Sequence, residues 1–238
     1  RIFVCPTRGM GVIEAQCDDV FLGWDSPVGE VVHPRHVDIY NRGGLGWLDG
    51  FSEWVVRCGL EANGAPGEDV IVDNQGNETR SFLPLHGKIA NVPASALAVS
   101  IELDPPHTIR VIGEVYESMM FGPSFRLYTV LETVPGSTSF RIVDRIENRR
   151  SVPEEMELLY HCNYGPPIIG EGARFTMPFR RMSARDERAL EDVDKWDLYG
   201  APQSGYAEQV YFFEPLADER GKSVAALVAP GGETASSI

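Results

Sequence analysis

Between Leu97 and Glu147 apolar and polar residues alternate through four strand-length segments, Leu97 to Leu103, Thr108 to Tyr116, Phe125 to Glu132 and Ser139 to Glu147. Pro105-Pro106, Gly122-Pro123 and Pro135-Gly136 separate them, and these residues end strands and set turns. A period of two sends successive side chains to opposite faces of a sheet. In the last segment Phe140, Ile142 and Ile146 share one face, and Arg141, Arg145 and Glu147 share the other. Hardly any helical period occurs in the chain, and Arg185 to Lys195 is the one short helix candidate. The pattern predicts an all-β protein, with these four strands as an antiparallel meander inside a large β-sandwich.

A chain of 238 residues is long enough to bury a sizeable core, and residues 1–238 are expected to form a single sandwich domain. Its opening on the strand-like Arg1-Ile2-Phe3-Val4 and its Gly-rich close suggest a fragment cut at both ends. The net charge of −14 argues against a nucleic-acid partner, which needs a basic face. A local basic cluster, Arg174, Arg180, Arg181 and Arg185, reads as a solvated edge. Cys5, Cys17, Cys58 and Cys162 are widely spaced and contain no C-x-x-C pair. They form neither a disulfide framework nor a zinc site, and the cytoplasm is the expected compartment. No run of 18 apolar residues exists, so no membrane span is expected.

Ile2 to Cys5, Val12 to Cys17 and Val20 to Trp24 read as short strands. In the polar connection that follows, His33-x-x-His36-x-Asp38 has no third ligand at a fixed spacing and is flanked by Pro34, so no metal role is expected. Residues 41–67 are rich in Gly and carry Trp47, Phe51 and Trp54. Flat aromatic faces beside polar groups suit a sugar, although a Gly-rich connection over the core fits equally well. His86 follows Pro84-Leu85 and precedes Gly87, at a loop or strand end. From Leu158 to Gly165, alternation puts Glu157, Leu159, His161 and Asn163 on one face and Leu158, Tyr160, Cys162 and Tyr164 on the other. An imidazole is the side chain best suited to hand over a proton near neutrality, and a core or rim histidine satisfied by a backbone carbonyl is the alternative reading of His161. Tyr206 to Pro215 and Ser223 to Val228 suggest a hairpin, with Glu208 at the mouth of its first strand.

Five stretches taken in order, Gly-Gly-Leu-Gly-Trp-Leu-Asp-Gly-Phe (43–51), Arg-Cys-Gly-Leu-Glu (57–61), Leu-Pro-Leu-His-Gly (83–87), Tyr-His-Cys-Asn-Tyr-Gly (160–165) and Tyr-Ala-Glu-Gln-Val-Tyr-Phe (206–212), carry a resemblance. The chain resembles the aldose 1-epimerase (galactose mutarotase) superfamily, and within it a bacterial aldose-1-epimerase-like branch. That resemblance implies a β-supersandwich with an open sugar cleft. It puts the general acid on His161, a sugar contact near the ring oxygen on His86, and substrate-binding roles on Glu208, Asn163 and Arg57. Around Arg57 the residues differ from the usual G-R-x-x-N-R pattern. The family's general base is a Glu on a strand well after the one that matches Glu208, and this chain has no convincing equivalent. Glu214 precedes Pro215, and Glu233 lies in the Gly-rich tail.

The implied activity is interconversion of sugar anomers, with an acid and a base on opposite sides of the ring. It needs neither a metal nor an organic cofactor, and the partner is a monosaccharide or a sugar derivative. A non-catalytic carbohydrate-binding protein and a sugar lyase or hydrolase on the same fold are the alternatives. A phosphosugar variant is favoured if Arg174, Arg180 and Arg181 converge.

Overall fold

The computed structural model describes residues 1–238. The chain packs as two compact units, Arg1–Asp19 with Gly23–Asn163, and Val20–Leu22 with Tyr164–Ile238. The first unit contains β1 (Ile2–Cys5) and β2 (Gly11–Cys17), while β3 (Val20–Leu22) belongs to the second. After β3 the first unit adds a one-turn α1 (Asn41–Gly44) and a 3-10 turn, Gly46–Gly50. It continues with β4 (Val55–Leu60), β5 (Gly67–Val72), β6 (Glu78–Leu83), β7 (Ala96–Ile101), β8 (Ile109–Ser118), β9 (Ser124–Thr133), β10 (Arg141–Asn148) and β11 (Glu157–Cys162).

The expected meander is present. β10, β9, β8 and β7 lie in that order in one antiparallel sheet, with Ile109 opposite Thr133 and Ser118 opposite Ser124 across the central pair. Along β9, Phe125, Leu127, Thr129 and Leu131 are buried while the residues between them are partly exposed. The second sheet runs β1, β2, β4, β11. All six residues of β4 are buried. A strand covered on both faces shows no alternation, which explains why Val55 to Leu60 does not stand out in the sequence. The hairpin β5–β6 is also silent there. Its turn is set by Asp73, whose Oδ1 accepts from the backbone N–H of Gln75 and Asn77 at 2.8 and 2.9 Å.

Charged groups fasten this unit from inside. Arg8 and Glu53 are fully buried, with Nε donating to Oε1 at 2.5 Å. Arg8 Nη1 also donates to Val32 O and Asn91 Oδ1, both at 3.2 Å. Trp47, Val56, Cys58 and Ala90 form a buried cluster, with Phe51 and Leu85 packed against it.

The second unit holds β12 (Arg174–Thr176), β13 (Phe179–Ala184), α2 (Glu187–Leu190), β14 (Tyr211–Pro215), β15 (Ala226–Val228) and β16 (Ala235–Ser237). The helix expected over Arg185 to Lys195 is a single turn followed by a 3-10 turn, Val193–Lys195. Asp186 caps it, Oδ1 accepting from Ala189 N–H at 3.0 Å. The hairpin expected between Tyr206–Pro215 and Ser223–Val228 does not form. The turn is there, with Asp218 Oδ1 accepting from Arg220 and Lys222 N–H, but β14 pairs with β13, and β15 pairs with β12 and β16. The reason is aromatic packing. Phe213 of β14 lies with its ring centre 5.0 Å from Trp196, 5.3 Å from Phe179 and 5.9 Å from Phe175, and this cluster outweighs a local turn.

Candidate active site

Two imidazoles meet in the first unit. His161 lies near the end of β11, directly opposite Val56 of β4. His86 sits after β6 in the Leu-His-Gly segment, and its ring centre is 5.5 Å from that of His161, edge-on at 75°. The Trp47 ring lies 4.9 Å from His86 and 6.1 Å from His161. Phe51 lies 5.2 Å from His161 and 4.3 Å from Trp47. Trp47 is only 1% exposed, so it is a floor beneath the imidazoles and offers no face for stacking. Trp54 is likewise buried, its ring 5.8 Å from Phe140.

The backbone explains how His86 is aimed. It adopts φ 57°, a left-handed conformation uncommon for a residue with a Cβ. The conformation is held at both ends: His86 N–H donates to Gly64 O at 2.9 Å, and Gly59 N–H donates to His86 O at 3.0 Å. Gly87 has φ 73°, and a Cβ there would lie 2.3 Å from the carbonyl oxygens of both Gly59 and Ala62. Gly87→Ala is therefore expected to lower the thermal midpoint, by strain of about 1–3 kcal/mol. Gly67→Ala, at a glycine with nothing within 4 Å of its would-be Cβ, is the matched control and should leave the midpoint nearly unchanged.

His86 Nδ1 is 3.1 Å from Asn63 Oδ1. Asn63 is itself held by Glu157, whose Oε2 accepts the Asn63 N–H at 2.6 Å. The tautomer that carries its proton on Nδ1 is the one that donates to this amide oxygen. Burial, with the neighbouring His161, lowers the His86 pKa below the ordinary imidazole value, so the ring is neutral at neutral pH.

Asn163 follows β11. Its N–H donates to Trp54 O at 2.7 Å, and its Nδ2 donates to Glu53 O at 2.9 Å and His161 O at 3.4 Å. Arg57 lies on β4 opposite Tyr160. Its five N–H groups are all accepted within the protein. Nε donates to Asp144 Oδ2 at 2.5 Å, Nη1 to Gly9 O and Met10 O at 3.2 and 3.1 Å, and Nη2 to Thr129 Oγ1 at 2.7 Å and Asp144 Oδ1 at 2.9 Å. At 2% exposure it has no donor left for a sugar hydroxyl. Its environment makes it a rivet between the two sheets. Glu208 belongs to the second unit, three residues ahead of β14, where its exposed carboxylate accepts from Arg185 Nη1 at 2.7 Å.

The remaining candidates resolve simply. His33 Nδ1 accepts from Arg35 N–H at 3.2 Å and caps a short turn, with its ring centre 6.5 Å from that of His36. No group of three or more His, Cys, Asp or Glu gathers at the spacing a metal needs. Burial pushes the Cys58 thiol up to about 12, helped by the charge of Glu53, and burial alone pushes Cys162 up to about 11. Neither is a nucleophile near neutrality. Of the arginine cluster, Arg174, Arg181 and Arg185 are paired with Asp197, Glu214 and Glu208. No helix is long and apolar enough to cross a membrane, which says nothing of a β-barrel.

Sequence inspection missed Asn63, Asp144, Glu157 and the Arg8–Glu53 pair. Asn63-Gly64 carries only a turn signal, and Asp144 lies 87 residues from the arginine it holds.

The mostly antiparallel strands form an aldose-epimerase-like β-sandwich. The whole chain, residues 1–238, matches a family described as a domain of unknown function, DUF4432, and the protein belongs to that family. No curated protein matches it. Its fold is similar to the crystal structure of a protein from Klebsiella pneumoniae subsp. pneumoniae MGH 78578, provisionally named an aldose 1-epimerase, with a TM-score of 0.91 and 37% identity. The match covers 99% of this chain and 59% of the other, so this chain spans under two thirds of that protein's length.

Proposed function

We propose that this protein is a carbohydrate-active isomerase that interconverts the anomers of an aldose. The observation that carries the reading is the pair of imidazoles 5.5 Å apart, one on a strand and one on a backbone-locked loop. Likeness to a protein provisionally named an aldose 1-epimerase supports the same class. In this reading a base removes the proton from the C1 hydroxyl while His161, as imidazolium, protonates the ring oxygen. The ring opens, the C1–C2 bond rotates, and closure gives the other anomer. Asn163 is proposed as a contact to the sugar, and the protein's four free thiols support a cytoplasmic site of action.

Hydrolysis is less well supported. It needs two carboxyl groups flanking the sugar, and the carboxylates around the His86 loop are otherwise engaged. Glu157 accepts from Asn63 N–H and Glu61 pairs with Lys88. Glu117 accepts from Leu60 and Glu61 N–H at 3.1 and 2.8 Å, and burial pushes its carboxyl above the usual range against the pull of those amides. Two of the three arginines that a phosphosugar substrate would call on, Arg174 and Arg181, are instead paired with Asp197 and Glu214.

The test is anomer exchange followed by NMR or polarimetry across common aldoses. Acceleration above the buffer rate is the expected result. Sugar-dependent thermal stabilisation without acceleration would instead identify a carbohydrate-binding protein.

A further inference from the structure

The connection between β4 and β5 grips His86 twice. Gly64 O accepts the His86 N–H at 2.9 Å, and Asn63 Oδ1 lies 3.1 Å from His86 Nδ1. The Asn63 N–H is in turn accepted by Glu157 Oε2 at 2.6 Å. Glu157 opens β11 opposite Leu60 of β4, and His161 lies near the other end of the same strand. One strand therefore carries one imidazole and also holds the connection that contacts the other.

Such a contact supplies what packing cannot. The Trp47 ring, 4.9 Å from His86, and the His161 ring, 5.5 Å away, bound the space that the imidazole fills. Half a turn about Cβ–Cγ leaves that outline almost unchanged while exchanging Nδ1 with Cδ2 and Nε2 with Cε1. Shape alone leaves the two orientations close in energy, and a hydrogen bond at Nδ1 separates them. We propose that Asn63, fixed by Glu157, is a positioning residue that locks the His86 ring in the orientation from which Nε2 meets the sugar. The inference rests on the anomer-exchange reading, with His86 as a contact to the sugar, and deepens it.

The size of the effect follows from the populations. Without the hydrogen bond, the ring spends part of its time turned, with a carbon where Nε2 belongs. Apparent affinity then falls in proportion to the fraction still correctly oriented. A turned ring weakens the bound sugar and the transition state alike, so the loss falls on KM and spares kcat. The loop itself stays in place, because the left-handed His86 backbone is held by the main chain of Gly64 and Gly59 and not by the Asn63 side chain.

The experiment measures KM and kcat of anomer exchange by NMR, and Kd by titration, with D-glucose and D-galactose as probes. Asn63→Ala is expected to raise KM about threefold while kcat changes by less than about twofold. Asn63→Asp, which still accepts from Nδ1, should return KM to near the wild-type value. His86→Ala should raise KM further, and adding Asn63→Ala to it should change nothing more, since both residues act through one ring. An unchanged KM in Asn63→Ala, or the same rise with and without the His86 ring, would overturn the assignment while leaving anomer exchange standing. If the wild type binds sugar without exchanging anomers, the anomer-exchange reading falls, and the same variants decide the assignment through Kd. A wild type that neither binds nor exchanges either sugar overturns both.

Discussion

Replacing His161 by alanine is expected to lower the kcat of anomer exchange by about 10²–10⁴-fold, the usual contribution of a positioned general acid. KM should change far less, because a proton passed to the ring oxygen is needed in the transition state and not for binding. The His161 ring lies against Phe51 and Trp47, and its strand is paired with β4 through six residues from Glu157 to Cys162. Removing a half-buried ring should therefore leave the sheet intact. His161→Gln provides the control, since it fills most of the space and hydrogen-bonds but carries no proton that it can release near neutrality. NMR exchange spectroscopy under saturating sugar reads kcat directly. If both variants exchange anomers at the wild-type rate, His161 is not the acid. If both bind sugar with unchanged affinity and lose exchange together, the role stands.

The part of this arrangement that was legible in the sequence is the part governed by local chemistry. The meander announces itself because its strands alternate and are punctuated by Pro105-Pro106, Gly122-Pro123 and Pro135-Gly136. The face shared by Glu157, Leu159 and His161 follows from a period of two, and the pairing of Tyr160 with Arg57 and of His161 with Val56 agrees with it. What was hidden depends on partners far along the chain. The Asp218–Lys222 turn forms as its sequence suggests, yet the strands it joins pair elsewhere because Phe213 packs on Trp196 and Phe179. His86 and His161 each sit in a recognisable motif, but 75 residues separate them, and no spacing rule predicts that the rings meet. Arg57 is the sharpest case. Beside a Gly-rich loop it has the composition of a sugar ligand, and only the fold shows that Asp144, Thr129 and two carbonyls already hold its guanidinium.

That accounting makes Arg57 half of a buried ion pair, and its replacement has a definite expected result. Arg57→Met should lower the stability of the first unit by about 3–5 kcal/mol near pH 7, the range found when one partner of a buried ion pair is removed. The cost arises because the Asp144 carboxylate, 3% exposed, would keep only Tyr160 Oη at 2.7 Å as a side-chain donor besides what Thr129 offers. In the wild type, burial works to raise the Asp144 pKa, but the hydrogen bonds and charge of Arg57 outweigh it and hold the carboxyl below its usual range. A depressed carboxyl contributes stability above its unfolded pKa and loses it as the pH falls through the folded value. Without Arg57, burial is left as the main influence and the carboxyl rises instead, so the variant gains relative stability as the pH is lowered. The difference in urea midpoint between wild type and Arg57→Met should therefore be largest near pH 7 and shrink toward pH 4. Adding Asp144→Leu to Arg57→Met should recover part of the loss at pH 7, since an apolar pair in place of a buried ion pair removes the stranded charge. A full-strength Arg57→Met protein with impaired sugar binding would return this arginine to the sugar cleft. A weakened protein whose deficit narrows in acid fixes it as the rivet between the two sheets.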